Sequence, residues 1–181
     1  MRSAKHRFES LQKPLGRTVL FTYPCIRTAL WITVTRSDQA AVNAKEWLEY
    51  VDNENCLQAA MMGDASDQTM ALTRLMDDEE VDAAILNHEV KQYVRTIDFL
   101  FGHEAKCLTT FGYTQATVQT LEKPLVWMIS GKSFHIGGGV PGAVIERCLD
   151  RMRCWVKIMK STLAVEFPSF EIACVWALVE I

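Results

Sequence analysis

The residues of this chain whose types and spacing invite chemistry lie in one stretch, SFHIGGGVPGAVIERCLDRM, from Ser133 to Met152. Three consecutive glycines, Gly137 to Gly139, lead through Pro141 and Gly142 into an amphipathic helical pattern. Glycines ahead of a helix let backbone amides approach an anion, and the helix dipole adds partial positive charge at the same place. The chemistry on offer is the holding of a phosphate. Gly137, Gly139 and Gly142 also satisfy G-x-G-x-x-G, with Ala143 next and Glu166 at the end of the strand expected to follow, the outline of a dinucleotide fingerprint. Context removes that reading. The fingerprint opens its domain and needs several further β-α steps, whereas about forty residues remain here, against roughly thirty for each βαβ unit. No Gly-Lys-Ser/Thr ending is present, which excludes a nucleoside-triphosphate loop.

The elements that must position this loop follow from pattern. TVLFTYPCIRTALWITVT (Thr18 to Thr35) is rich in β-branched and aromatic residues and predicts extended segments broken at Pro24, with Ala29 to Thr35 the better strand. Ser37 or Asp38 then caps a helix whose inward stripe is Val42, Trp47, Leu48 and Val51. Asp52 opens a helix that Gly63 stops, and Ser66 or Asp67 opens another containing Met70, Leu72, Leu75 and Met76. EVKQYVRTIDFLF predicts a helix with Val90, Tyr93, Val94, Ile97 and Phe101 on one side, ending at Gly102, with Val81 to Leu86 a candidate strand before it. KCLTTFGYT and PLVWMIS predict two strands joined by the polar QATVQTLEK. After the glycines, a helix from about Pro141 to Met159 carries Val144, Ile145, Cys148, Leu149, Met152, Trp155, Val156 and Met159 on one face. Ser161 to Phe167 predicts a strand returning to the sheet. Pro168 ends it, and SFEIACVWALVEI is a last helix with Ile172, Val175, Trp176 and Val179 inward, or a terminal strand.

Composition sets the class. At 181 residues and 49% hydrophobic, the chain can bury one core, and no linker, repeat or low-complexity tract divides it. The expectation is a basic N-terminal arm over 1–17 (Arg2, Lys5, Arg7, Lys13, Arg17) and a single domain over 18–181. Its class is α+β, a single mixed sheet flanked by helices. A net charge of −3 argues against an electrostatic grip on nucleic acid. No membrane span or secretion signal is visible, since Arg17, Pro24 and Arg27 interrupt the most apolar early window. The six cysteines form no C-x-x-C pair and have no His spaced for zinc. They read as small buried hydrophobes in a reducing, cytoplasmic compartment, with no metal site.

The predicted order of strand, glycine loop, long helix, strand and short helix resembles the central motif of the acyl-coenzyme A N-acyltransferase (GNAT) superfamily. GGGVPGAVIERCLDRMRCWVKIMKSTLAVEF is similar to that motif in its helix length and its run into a strand, and VEFPSFEIACVWALV to the segment around the last helix. Within the superfamily the resemblance is to divergent phage-encoded members, including the acetyltransferase-like internal virion proteins of short-tailed phages. TTFGYTQATVQTLEKPLVWMISGKSF resembles their Phe-Gly strand, variable turn and Pro-x-x-Trp strand, and YVDNENCLQAAMMGDASDQTMALTRL resembles their Asp-x-Glu helix, glycine and second helix.

The resemblance implies acetyl-coenzyme A, or another acyl-coenzyme A, with its pyrophosphate on amides around Gly138, Gly139, Gly142 and Ala143. Departures are plain. Gly137 stands where Arg or Gln is usual, Pro141 removes one N–H, Ser169 or Phe170 replaces the Asn before the last helix, and the two closing strands do not follow. Acyl transfer needs a base for the amine and an acid for the thiolate. Glu122 and Glu166 are the candidate bases at strand ends, and Tyr113, Ser169 or Cys174 the candidate acids. His135 lies beside the loop, while His88 and His103 have no partner at recognisable spacing. Two functions follow. In the first, a scaffold without catalysis binds a bacterial host or virion protein. In the second, an active N-acyltransferase modifies an amine of a protein or small molecule. Oligomeric state stays open.

Overall fold

The computed structural model describes residues 16, 17, 19–77, 83–110 and 112–166. They form a helix-dominated α+β arrangement whose sheet is a single antiparallel pair of strands, not the mixed sheet expected. The basic arm up to Leu15 and the tail from Phe167 lie outside the described residues, as do Ser169, Cys174 and the expected last element. Among the described residues no helix is long and apolar enough to cross a membrane.

Helix α1, Thr22–Thr35, replaces the strand expected from Ala29 to Thr35. Pro24 falls in its first turn, where a missing N–H breaks no helical bond, so the proline starts the helix. The β-branched residues are accommodated because the Thr28, Thr33 and Thr35 hydroxyls donate back to the Pro24, Leu30 and Trp31 carbonyls at 2.9, 2.7 and 2.8 Å. Thr22, Ile26 and Ala29, at helical spacing, are buried. Helix α2, Gln39–Tyr50, begins as expected at Asp38, whose carboxylate accepts from the Ala40 amide at 3.1 Å. Its buried residues are Ala44 and Leu48, with Val51 just beyond. Val42 is exposed and Trp47 half-buried, so the apolar stripe is rotated from the expected one.

Helix α3, Asn53–Met76, runs unbroken through Gly63, Ser66 and Asp67, where two helices were expected. Gly63 is a socket rather than a stop: a Cβ there would lie 2.9 Å from the Tyr113 ring. One residue on, the Asp64 carboxylate accepts from the Tyr113 and Thr114 amides at 2.7 and 3.0 Å, capping from outside the short helix that Tyr113 opens. Helix α4, Ala83–Phe101, ends at Gly102 as expected and is already helical where a strand up to Leu86 was expected. The predicted strand KCLTTFGYT is instead a 3-10 turn, Lys106–Leu108, followed by helix α5, Tyr113–Thr120.

Strands β1, Leu125–Ile129, and β2, Lys132–Ile136, form the sheet. Ser130 and Gly131, at φ +50° and +79°, make the two-residue turn, in which both positions need left-handed backbone. The register pairs Leu125 with Ile136 and Trp127 with Phe134, whose rings stack at 6.1 Å. Helix α6, Gly142–Glu166, then extends through the expected strand from Ser161. Leu163 packs on the core and Lys160 pairs with Asp98 of α4, so tertiary contacts hold this end helical.

Two apolar cores result. Leu57, Met61, Ile97, Phe101, Leu149 and Met152 fill the space between α3, α4 and α6. Ile26, Leu48, Leu121, Trp127 and Ile136 fill that between α1, α2 and the hairpin. Val140, between β2 and α6, packs against both. Because the α5 cap comes from α3, Asp64→Ala is expected to lower unfolding free energy by about 1–2 kcal/mol in urea denaturation.

Candidate functional site

The glycine bend is built by two strong backbone demands. Gly137, Gly138 and Gly139 all sit at positive φ, +83°, +76° and +91°, a run that L side chains resist. At Gly137 space is also lacking, because a Cβ would lie 2.1 Å from the Lys123 carbonyl oxygen and 2.6 Å from the Tyr23 hydroxyl. That hydroxyl itself donates to the Lys123 carbonyl.

Two amides of the bend turn inward. Gly137 N–H donates to Asn53 Oδ1 at 2.7 Å, and Asn53 Nδ2 donates back to the Gly139 carbonyl at 3.1 Å. Gly139 N–H donates to the Leu121 carbonyl at 2.9 Å. The Asn53 side chain, at the first position of α3, thus clasps a bend more than eighty residues away. Gly138, Gly139 and Gly142 have open space where side chains would be, so the bend is open on one side. A pyrophosphate cradle needs several converging N–H groups. Here the Gly137 and Gly139 amides already have partners, Pro141 has none to give, and no guanidinium replaces Gly137. Of the four positions the resemblance assigns to the acyl-coenzyme A pyrophosphate, Gly139 has its amide committed to the Leu121 carbonyl, so the bend offers fewer converging N–H groups than the resemblance implies.

The candidate catalytic residues are not brought together. Glu166, expected at the end of a returning strand, ends α6 instead, and twenty-four helical steps put it about 36 Å along the axis from Gly142. Glu122 is exposed in the turn between α5 and β1, one residue past Leu121. Tyr113 opens α5, about 12 Å of helix from Leu121. Its ring packs against Gly63, and burial first, then the Asp67 and Asp64 carboxylates, raise its pKa, making it a weaker acid. His135, His88 and His103 are exposed. Five cysteines are free thiols, and burial pushes those of Cys56 and Cys107 up to about 12, far from the thiolate a nucleophile needs.

What pattern reasoning missed is a groove of about 550 Å³ between α3 and α6. Met62, Ala65, Ser66, Thr69, Met70 and Thr73 form its α3 wall, and Arg151, Met152, Trp155 and Met159 its α6 wall. Small residues on α3 oppose long ones on α6, which leaves the space. Trp155 is held edge-on against Phe101 at 6.4 Å. Gln58 contributes Nε2, 3.3 Å from the Met152 sulfur, while its Oε1 is buried without a hydrogen-bond partner among the described residues, at a cost of about 1–3 kcal/mol. Arg151 in the groove lining shares the Glu54 carboxylate with Arg147, at 2.7 and 2.6 Å respectively. The signal was available: Met62, Ser66, Thr69 and Thr73 share one helical face, but only if the helix is not cut at Gly63.

Comparison with protein-family models, curated proteins and solved structures finds no significant match to this chain.

Two outcomes check this geometry. Asn53→Ala orphans the Gly137 amide and should cost about 1–3 kcal/mol in equilibrium unfolding. Arg147 hydrogen bonding, aided by Arg151 and opposed by burial, holds Glu54 below the ordinary value of 4.5. A depressed folded pKa means stabilisation present above 4.5 and lost as pH falls through the folded value. Glu54→Gln should therefore flatten the acid limb of a stability-against-pH curve.

Proposed function

We propose that this chain works by contact, as a protein-binding module whose docking site is the groove between α3 and α6. The occupant is an amphipathic helix of a partner protein with an apolar stripe and acidic flanks. One observation carries the reading: an apolar groove of about 550 Å³, walled by four methionines and Trp155, has Arg151 as its charged lining residue. Unbranched thioethers repack around differing side chains, a fixed indole supplies an anchor, and a groove between helices accepts a helix through i, i+3, i+4 and i+7 contacts. Met62 at the mouth is 52% exposed, which an unoccupied apolar groove would leave in water at a cost.

The five free thiols support a reducing, cytoplasmic setting. The resemblance to acetyltransferase-like phage proteins would make the partner a bacterial host or virion protein. The alternative, an acyl-coenzyme A dependent N-acyltransferase within a GNAT-like fold, keeps the open side of the glycine bend in its favour. Against it stand the occupied Gly137 and Gly139 amides, the distance to Glu166, and helix where the returning strand was expected.

A synthetic helix with a Leu/Trp stripe and Glu flanks, titrated against the full chain with tryptophan emission as readout, should bind in the micromolar range. Met62→Glu, at an exposed position, should weaken it about tenfold or more; equal affinity in that variant would refute the groove as the docking site. Calorimetry with acetyl-coenzyme A should give no heat at millimolar ligand. Micromolar binding lost in Gly139→Val would return the acyltransferase reading.

A further inference from the structure

We propose that Arg151 is the specificity-determining residue of this groove: its guanidinium leaves Glu54 for a carboxylate of the docked helix, while Arg147 keeps Glu54 paired. The inference rests on the groove reading above and adds which group of the partner is read, and by which residue. Its first support is place. Arg151 is the one charged side chain in the groove lining. It stands where α3 and α6 are tied together, since Gln58 Nε2 reaches the Met152 sulfur at 3.3 Å and Glu54, one turn before Gln58, holds Arg151. Trp155 and Met159 follow it along α6 at one-turn spacing, so a helix laid in the groove meets guanidinium, indole and thioether in steps of about 6 Å. The matching face is a carboxylate and two apolar residues, each one turn apart.

The second support is how the Glu54 carboxylate is divided. Arg147 gives Oε2 two donors, Nε at 3.2 Å and Nη2 at 2.6 Å, whereas Arg151 Nη2 takes the other oxygen at 2.7 Å. Glu54 therefore stays paired when Arg151 leaves, and the penalty of a stranded carboxylate does not arise. The third is solvent. The Arg151 side chain is 55% exposed, and an ion pair at that exposure is weakly held. A docked helix excludes water from the groove, where a carboxylate on a guanidinium becomes a stronger and more selective contact. Glu54 and the partner compete for Arg151, and Arg147 is what allows Glu54 to lose it.

Two synthetic helices with the same Leu/Trp stripe test this against the full chain, one with a single Glu a turn from the end of the stripe, the other with Gln in its place. The unaltered chain should bind the Glu helix about tenfold more tightly. Arg151→Gln should bring that ratio to about one and leave the affinity for the Gln helix unchanged, a sign that the groove is intact. Lys157→Gln removes the same charge from an exposed position of α6 outside the lining and should keep the ratio. A fall as large as that in Arg151→Gln would assign the preference to the general field and overturn the proposal. Glu54→Gln should raise the ratio about threefold, and should do nothing when combined with Arg151→Gln; a rise that persists there would also overturn it. Should Arg151→Gln fail to fold, the ratio in the unaltered chain and its rise in Glu54→Gln decide alone. Equal affinity of the unaltered chain for both helices would leave the groove standing and end the role of Arg151, whereas binding of neither helix would sink the groove reading and this inference with it.

Discussion

The structure depends on one constraint, the chirality of the backbone between β2 and α6. Three residues in succession take positive φ, and only glycine does so without cost. The turn they make reverses the chain from a hairpin that belongs to one apolar core into a long helix that belongs to the other. Asn53 fixes it, because an amide side chain offers both an acceptor and a donor and can hold the bend at Gly137 and Gly139 together. Asn53 opens α3 and Gly142 opens α6, so the clasp also sets where those two helices meet. The groove between them is a consequence of that setting.

The same bend answers what a glycine triplet is for. Bare amides facing solvent would make an anion site; amides facing an asparagine and a backbone carbonyl make a joint. The residue types are identical in the two cases. The difference is the direction of two N–H bonds, fixed by partners far away in the chain, Asn53 and Leu121.

The groove illustrates a different physical point. Interiors close around long side chains when the opposing helix is also furnished with them. Where α3 presents Ala65, Ser66 and Thr69, the side chains of α6 leave part of the space between the two helices unfilled. Phe101 holds the indole from behind and the Glu54 pair anchors the helices at one end, so the gap stays open rather than collapsing.

Much was legible in the chain itself. Asp38 and Asp52 start helices and Gly102 ends one because caps are local chemistry: a short side chain or a missing Cβ acts within a few residues. The inward face of α6 and the strand around Trp127 were fixed by periodicity alone. Helix or strand could not be settled for Ala29 to Thr35, for the stretch after Lys106, or for Ser161 onward, because β-branched residues in short apolar runs suit both and their packing partners decide. Gly63 carried the same ambiguity, a stop or a socket, resolved only by the Tyr113 ring arriving from another helix. Sequence determined that this chain would turn at its glycines and bury one face of its last described helix. Tertiary structure decided which way the amides point and where two helices leave a space, since both depend on groups that meet only when the chain is folded.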